Sequence, residues 1–280
     1  MNRSTRAAMA RETVEIVERG AYRSESGRAV DIGEAVRACL DGTRFHPPEE
    51  IARIRDEESA RPGGEGAAAI EVVNETTLAG VSRVLSRGEG PVAVLNFASA
   101  KNPGGGFLGG SQAQEESLAR SSALYASQLR ASEFHERHRA SPSLLYSDAM
   151  ILSPACPIFR DDDGRLLDEP MAATFITSAA PNAGAIAANR PSESSAIPET
   201  FRRRSECVLA LAASRGCRRL VLGAWGCGVF RNDPAVVAEA FAEHLSRGPW
   251  AGRFERVVFS VLDASPSGPT LSAFRRALGA

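Results

Sequence analysis

An α/β sandwich is the fold class that this sequence predicts, and three features carry that expectation. From residue 70 onward, short apolar runs alternate with helical patterns, the rhythm of strands covered by helices. Two of the apolar runs feed glycine-rich loops that each precede a helix. The chain has 280 residues and is 43% apolar, enough for one large domain or two small ones.

Residues 1 to about 60 read as helical. Ile32, Ala35, Val36, Cys39 and Leu40 recur at the spacing of one buried helix face. Asp31, with Glu34 three residues later, fits an N-terminal cap. Pro47-Pro48 opens a shorter helix carrying Ile51 and Ile54. Residues 59–68, rich in Gly, Pro and Ala, form a loop or boundary. The chain therefore divides into an N-terminal helical extension, 1–68, and an α/β unit, 69–280.

The α/β unit opens with a strand over 69–73. Thr76 or Thr77 caps a helix with Leu78, Val81, Val84 and Leu85 on one face. Val92 to Phe97 is an apolar run that reads as a buried strand. A helix over about 117–130 presents Leu118, Ser122, Tyr125 and Leu129. Strands follow at Ala149–Leu152 and Thr174–Ser178. A helix around 198–214 buries Phe201, Val208, Leu211 and Ala212. Leu220–Leu222 is a short strand, and Asp233-Pro234 starts the next helix. Arg256 to Leu262 is the last strand, and Leu271 to Leu278 the last helix.

Charge and cysteine usage narrow the partners. Lys+Arg is 33 and Asp+Glu is 34, for a net charge of −1. That balance excludes a general polyanion-binding surface, so a nucleotide-like ligand belongs in a local pocket, and no DNA or RNA sequence recognition is expected. The five cysteines form no CxxC pair, as expected of reduced thiols in a cytoplasmic protein. No run reaches the ~18 apolar residues of a membrane span, and no signal-peptide core is expected.

The most informative stretch is Asn102-Pro103-Gly104-Gly105-Gly106, continuing through Ser111 to Gln114-Glu115-Glu116. Its glycines let the backbone approach a ligand closely. Amides beside a helix start favour an anion there. Two adjacent glutamates next to an anion site point to chemistry. Ser111 with Gln114 also matches a capping box, so the helix is expected to begin before the glutamates. The second loop, Gly223 to Phe230, lacks both GK[ST] and GxGxxG. It offers amides for a diphosphate and an aromatic ring, Phe230, for a pocket wall.

The GGG, fixed gap and QEE resemble the signature loop of bacterial-type poly(ADP-ribose) glycohydrolases, a branch of the macrodomain family. The second loop is similar to the macrodomain diphosphate loop. The resemblance covers roughly residues 70 to 265. It implies a three-layer α/β/α macrodomain sandwich with a mixed sheet. It also implies hydrolysis of ribose–ribose O-glycosidic bonds, chiefly from chain ends, with no metal and no cofactor. Partners would be poly(ADP-ribose), ADP-ribose and ADP-ribosylated proteins. By the same resemblance Glu116 is the acid/base and Glu115 holds ribose hydroxyls. Asn102, Gly104, Gly105, Gly106 and Gln114 line the substrate on one side. Gly226, Cys227, Gly228, Val229 and Phe230 line the phosphates and distal ribose on the other.

A helix N-terminus lowers a carboxylate pKa, whereas a general acid needs it raised. Burial and the substrate diphosphate are expected to raise that of Glu116 in the complex. Two alternatives stand beside this reading: a macrodomain hydrolase of mono-ADP-ribosyl groups, and a module that binds ADP-ribose without cleaving it. Paired acids argue against the second.

Other clusters carry simpler expectations. His135 and His138 read as an exposed helix tail, and Asp161-Asp162-Asp163-Gly164 as a solvated hairpin turn. Arg202-Arg203-Arg204 read as a solvated face, Cys227 as a small packing residue, and Pro181-Asn182 as a pocket border.

Overall fold

The protein's structure, a computed structural model, describes residues 1–64, 66 and 68–279. Glu65 and Ala67, within the loop expected over 59–68, and Ala280, the end of the α/β unit, lie outside the described residues. The chain runs α1 (Arg3–Arg19), β1 (Ala21–Arg23), β2 (Ala29–Asp31), α2 (Gly33–Gly42), β3 (Arg44–His46), α3 (Pro48–Ser59) and β4 (Ala69–Val73). It continues through α4 (Thr77–Leu85), β5 (Val92–Phe97), α5 (Gln114–Ser121), α6 (Leu124–Leu129) and α7 (Glu133–Ala140). Then come β6 (Met150–Arg160), β7 (Leu166–Ser178), α8 (Ala183–Asn189), α9 (Ile197–Ser214), β8 (Arg219–Leu222), α10 (Pro234–Ser246), β9 (Arg256–Ser260) and α11 (Pro269–Leu278).

Seven strands form one mixed sheet in the order β3-β6-β7-β5-β8-β9-β4. β7, β5, β8, β9 and β4 are parallel, while β6 and β3 are antiparallel to their neighbours. Each face of the sheet has its own apolar core. On one, Leu95, Ile176, Leu222 and Phe259 meet Ile51 of α3, Phe201 and Val208 of α9, Phe241 of α10 and Phe274 of α11. On the other, Val94, Phe175 and Val221 meet Ile16 and Val17 of α1, Val36 of α2, Val81 of α4, Leu118 of α5 and Leu124 of α6. This is the α/β sandwich expected from the strand–helix rhythm, with the three α/β/α layers that the family resemblance implied.

The first 59 residues are less purely helical than their periodicity suggests. β1 and β2 make a two-stranded hairpin, and β3 pairs with β6 at the edge of the main sheet. α1 and α2 cover one face and α3 the other, so this segment is built into the sandwich. The cap before α2 also shifts. Ile32 is its N-cap residue and makes no side-chain cap, while Asp31 accepts a hydrogen bond from the Gly33 amide at 2.8 Å.

Two expectations around the signature loop need correction. No capping box forms, because α5 starts at Gln114 after an uncapped Ala113 and the Gln114 side chain points elsewhere. The helix expected over 117–130 is broken into α5 and α6 at Ser122, which is extended (φ −150°) and bridges Ile158. The Ser122 hydroxyl donates to the Leu118 carbonyl at 2.7 Å and accepts from the Leu124 amide at 3.2 Å. Such local side-chain bonds compete with the helix ladder. The break allows α6 to fold back toward the sheet.

Candidate active site

Because β5 and β8 are adjacent and parallel, the loops that follow them leave the same sheet edge, where α/β proteins collect ligands. Between these loops lies a cleft of about 1030 Å³. Asn102, Gly105, Gly106, Gln114, Glu115 and Glu116 line it from the first loop. Gly226, Cys227, Gly228, Val229 and Phe230 line it from the second. Of the residues expected to line the substrate, Gly104 alone lies beneath the wall. It is buried, and its amide donates to Gln128 Oε1 at 2.5 Å.

The two glutamates differ sharply. Glu115 is 3% exposed and is surrounded by donors. Ser99 N–H reaches its Oε2 at 2.6 Å, while Gln128 Nε2 and Asn96 Nδ2 reach its Oε1 at 2.8 and 3.1 Å. Burial pushes its carboxyl up to about 7, against the opposing pull of those donors. Glu116 is half-buried, and its Oε1 accepts the Gly106 amide at 3.1 Å. Among the described residues, Gly106 is the only hydrogen-bond partner recorded for that carboxylate.

Glycine is required where the loop meets this carboxylate. Gly105 has φ +58°, and a Cβ there would stand 2.5 Å from Glu116 Oε1. Gly226 has φ +74°, and a Cβ there would meet Ala180 Cβ at 2.5 Å and Asn232 Nδ2 at 2.6 Å.

Gln114 serves the fold as well as the cleft. Its amide accepts from Phe97 N–H at 2.9 Å and donates to the Leu95 carbonyl at 2.8 Å, stapling the start of α5 to β5. Cys227 is half-buried and its thiol is pushed up to about 12 by burial, which fits a packing residue rather than a nucleophile. Val229 stands 80% exposed on the cleft rim.

Several supporting residues escaped sequence reading. Gln128 on α6 bridges Gly104 to Glu115, and Asn96 and Thr177, paired on β5 and β7, complete the buried polar cluster. Asn232 holds the second loop by donating to the Gly226 and Pro181 carbonyls at 2.9 and 2.7 Å. A polar Asn96 inside the apolar run Val92–Phe97 was a visible signal, because a buried polar side chain calls for partners, and its Nδ2 has two. Gln128, thirteen residues from Glu115, offered none.

The remaining clusters are structural, except that Asp161 and Asp162 of the β6–β7 turn also line the cleft. His135 and His138 are not an exposed tail. Both are buried, in edge-on contact with Phe134, and burial lowers each to about 4. No group of three or more metal-type ligands occurs among the described residues. Arg204 is likewise fully buried, donating to Asp148 at 2.8 Å and to the Ala179 carbonyl at 2.7 Å. Arg203 shares Asp148, and Arg202 pairs with Glu199. Asn182 caps α8, and neither it nor Pro181 lines the cleft. Asp161 accepts the Arg165 amide in the turn between β6 and β7, as a hairpin requires.

A three-layer sandwich with two glycine loops and a carboxylate pair at one sheet edge defines an α/β domain with a cleft suited to an anionic ligand. The model of the microbial-type PARG catalytic domain matches residues 10–161. The chain is 50% identical to the poly(ADP-ribose) glycohydrolase (PARG) from Thermomonospora curvata, with a TM-score of 0.93 over 98% of this chain and 100% of that one. The structure of the same enzyme bound to the inhibitor ADP-HPD matches with a TM-score of 0.90 at 50% identity, over 98% of this chain and 99% of that one. The Deinococcus radiodurans glycohydrolase in complex with ADP-ribose is 49% identical, with a TM-score of 0.83 over 89% of this chain and 98% of that one. No curated protein matches the chain. The chain belongs to the microbial-type poly(ADP-ribose) glycohydrolase family.

Proposed function

We propose that this chain is a poly(ADP-ribose) glycohydrolase that hydrolyses ribose–ribose O-glycosidic bonds, mainly from chain ends, and releases ADP-ribose. The observation that carries the reading is the pair of unlike glutamates at the cleft between two glycine loops, in a chain whose relatives include an ADP-ribose complex and an inhibitor complex. In this reading the domain is a macrodomain. Residues 69–280 carry the acids and both loops, and the N-terminal extension is built into the same sandwich, contributing its edge strand β3.

Glu116 is the acid/base. Its carboxyl gives a proton to the departing ribose oxygen, and as a carboxylate it then takes one from the water that attacks the anomeric carbon. The substrate diphosphate, laid on the amides of Gly226 and Gly228 beside Cys227, offsets positive charge at the anomeric carbon. Glu115, held by three donors, accepts ribose hydroxyls. Asn102 reaches a ribose hydroxyl, Gly105 and Gly106 shape the wall around it with Gly104 supporting them from beneath, and Gln114 keeps the glutamates in place. Val229 and Phe230 cover the phosphates and the distal ribose. No step in this scheme calls for a metal or a cofactor.

ADP-ribosylated proteins are the macromolecular partners and the cytoplasm the compartment in this reading. No helix among the described residues is long and apolar enough to cross a membrane. The test is release of free ADP-ribose from purified poly(ADP-ribose) and from protein carrying single ADP-ribosyl groups. Release from the polymer is expected. Release from the single adducts alone would make the chain a mono-ADP-ribosyl hydrolase. Tight ADP-ribose binding with no release from either would make it a binding module.

A further inference from the structure

α1 lies against the signature loop rather than beside the domain. Arg3 Nε donates to the Gly109 carbonyl at 2.9 Å, and Arg6 Nε donates to the Gly110 carbonyl at 2.8 Å. The approach is close enough that a Cβ on Gly110, at φ +74°, would stand 2.2 Å from the Arg3 carbonyl oxygen. One turn further along α1, Ala10 packs with Phe107 of the loop and Ala119 of α5 in a small core of their own. Thr13 then donates its hydroxyl to the Arg120 carbonyl at the end of α5, 2.6 Å away and buried. Arg120 in turn donates to the Ser111 carbonyl at 2.7 Å, and to Gln112 Oε1.

α1 therefore grips the segment at both ends, Gly109–Gly110 before Glu116 and Arg120 after it. A short path links the grip to the carboxylate. Ser111 N–H donates to the Gly106 carbonyl at 3.1 Å, and the Gly106 amide is the group that holds Glu116 Oε1. Met1, Arg6 and Met9 also line the same cleft. Glycine-rich backbone has no side chains of its own to hold a conformation, so an outside brace is what keeps five loop glycines in one arrangement.

We infer that α1 is a splint for the signature loop, with Arg6 as a positioning residue that sets Glu116 through Gly110, Ser111 and Gly106. This inference rests on the glycohydrolase reading for its kinetic consequence, but not for its structural one. The first 19 residues are then part of the catalytic apparatus, although none of them bears a reacting group.

The test uses the full chain with Arg6→Ala and Arg6→Lys. A misplacement of about 1 Å at a reacting group costs up to about 100-fold in rate. Arg6→Ala is expected to lower kcat on the polymer by about tenfold or more, with KM and ADP-ribose affinity unchanged. Arg6→Lys keeps one donor for the Gly110 carbonyl and is expected to recover most of kcat. Unchanged kcat overturns the inference, and so does a raised KM with normal kcat, which would make Arg6 a polymer contact instead. Should Arg6→Ala fail to fold, the exposed Arg3→Ala must show a smaller loss of kcat in the same direction. Amide hydrogen exchange separates this inference from the reading beneath it. If the wild type releases no ADP-ribose, faster exchange at Gly106 and Ser111 in the Arg6 variant still supports the splint, and unchanged exchange refutes it.

Discussion

The two glycine-rich loops leave neighbouring parallel strands and face one another across a single cleft, yet they are held in different ways. The loop after β5 is tied on every side. Gln128 holds Gly104, Glu116 takes the Gly106 amide, and Arg3 and Arg6 hold Gly109 and Gly110. The loop after β8 is fixed at its root, where Trp225 Nε1 donates to the Ser178 carbonyl at 3.2 Å and Asn232 ties Gly226. Beyond that root, Gly228 and Val229 stand exposed. Chemistry tolerates little positional error, so bracing suits the loop that bears the proposed acid. In the proposed reading the loop after β8 wraps a flexible diphosphate, which calls for available amides more than rigidity.

The sharpest way to break this contrast is to remove the acid. Glu116→Gln keeps the shape of the side chain but not its proton. Release of ADP-ribose from the polymer is expected to fall by about 10²-fold or more, with ADP-ribose affinity retained in a direct binding measurement. Loss of binding together with activity would make Glu116 a ligand contact, and the loop after β5 would no longer be the chemical one.

A smaller but more discriminating effect comes from adding one methyl group to each loop. Left-handed backbone costs a non-glycine residue about 1–2 kcal/mol. Gly105→Ala adds a collision with Glu116 and is expected to reduce kcat more than tenfold at unchanged ADP-ribose affinity. Gly226→Ala collides with Asn232 and Ala180 at the root of the other loop. It is expected to weaken ADP-ribose binding and lower Tm. Steady-state kinetics beside calorimetric titration reads the split. The same split in both variants would erase the division between the loops.

The buried glutamate sharpens the comparison through pH. Glu115 titrates at about 7 in the folded chain, against about 4.3 in an unfolded one. A carboxyl raised on folding leaves stability intact below the unfolded value and takes it away as pH rises through the folded value. Between about pH 4.5 and pH 7.5 this one group is expected to remove about 3 kcal/mol. Urea unfolding at both pH values should show that loss in the wild type and a much smaller one in Glu115→Gln. Equal losses would mean that the carboxyl is not the buried acid described.

Cys227→Ser carries the smallest expected effect. With the thiol pushed up to about 12 by burial, it has no thiolate to lend to catalysis. Polymer hydrolysis should be unchanged, and a large loss would reopen the question of a nucleophile in the second loop.

Much of this was legible in the chain itself. The strands at 69–73 and 92–97 coincide with their apolar runs, and Thr76 and Asp233 cap α4 and α10 by accepting the amides of Ala79 and Ala235. Both glycine loops and the glutamate pair could be read because their signals are local: turn backbone, periodicity and a fixed gap occupy consecutive residues. What sequence could not assign was burial. His135, His138 and Arg204 read as surface groups and lie inside, because the elements that cover them are distant in the chain. The two adjacent glutamates look alike in sequence. Gln128, Asn96 and Ser99, brought in by α6, β5 and the turn after it, make one a buried carboxyl, while Gly106 leaves the other facing the cleft. Likewise the periodicity of the first helices announced helices, but not that α1 would close on the loop a hundred residues away. Local sequence determined the elements and the chemical groups. Tertiary packing decided their protonation, their orientation and their supports, because desolvation and long-range hydrogen bonds exist only once the layers have met.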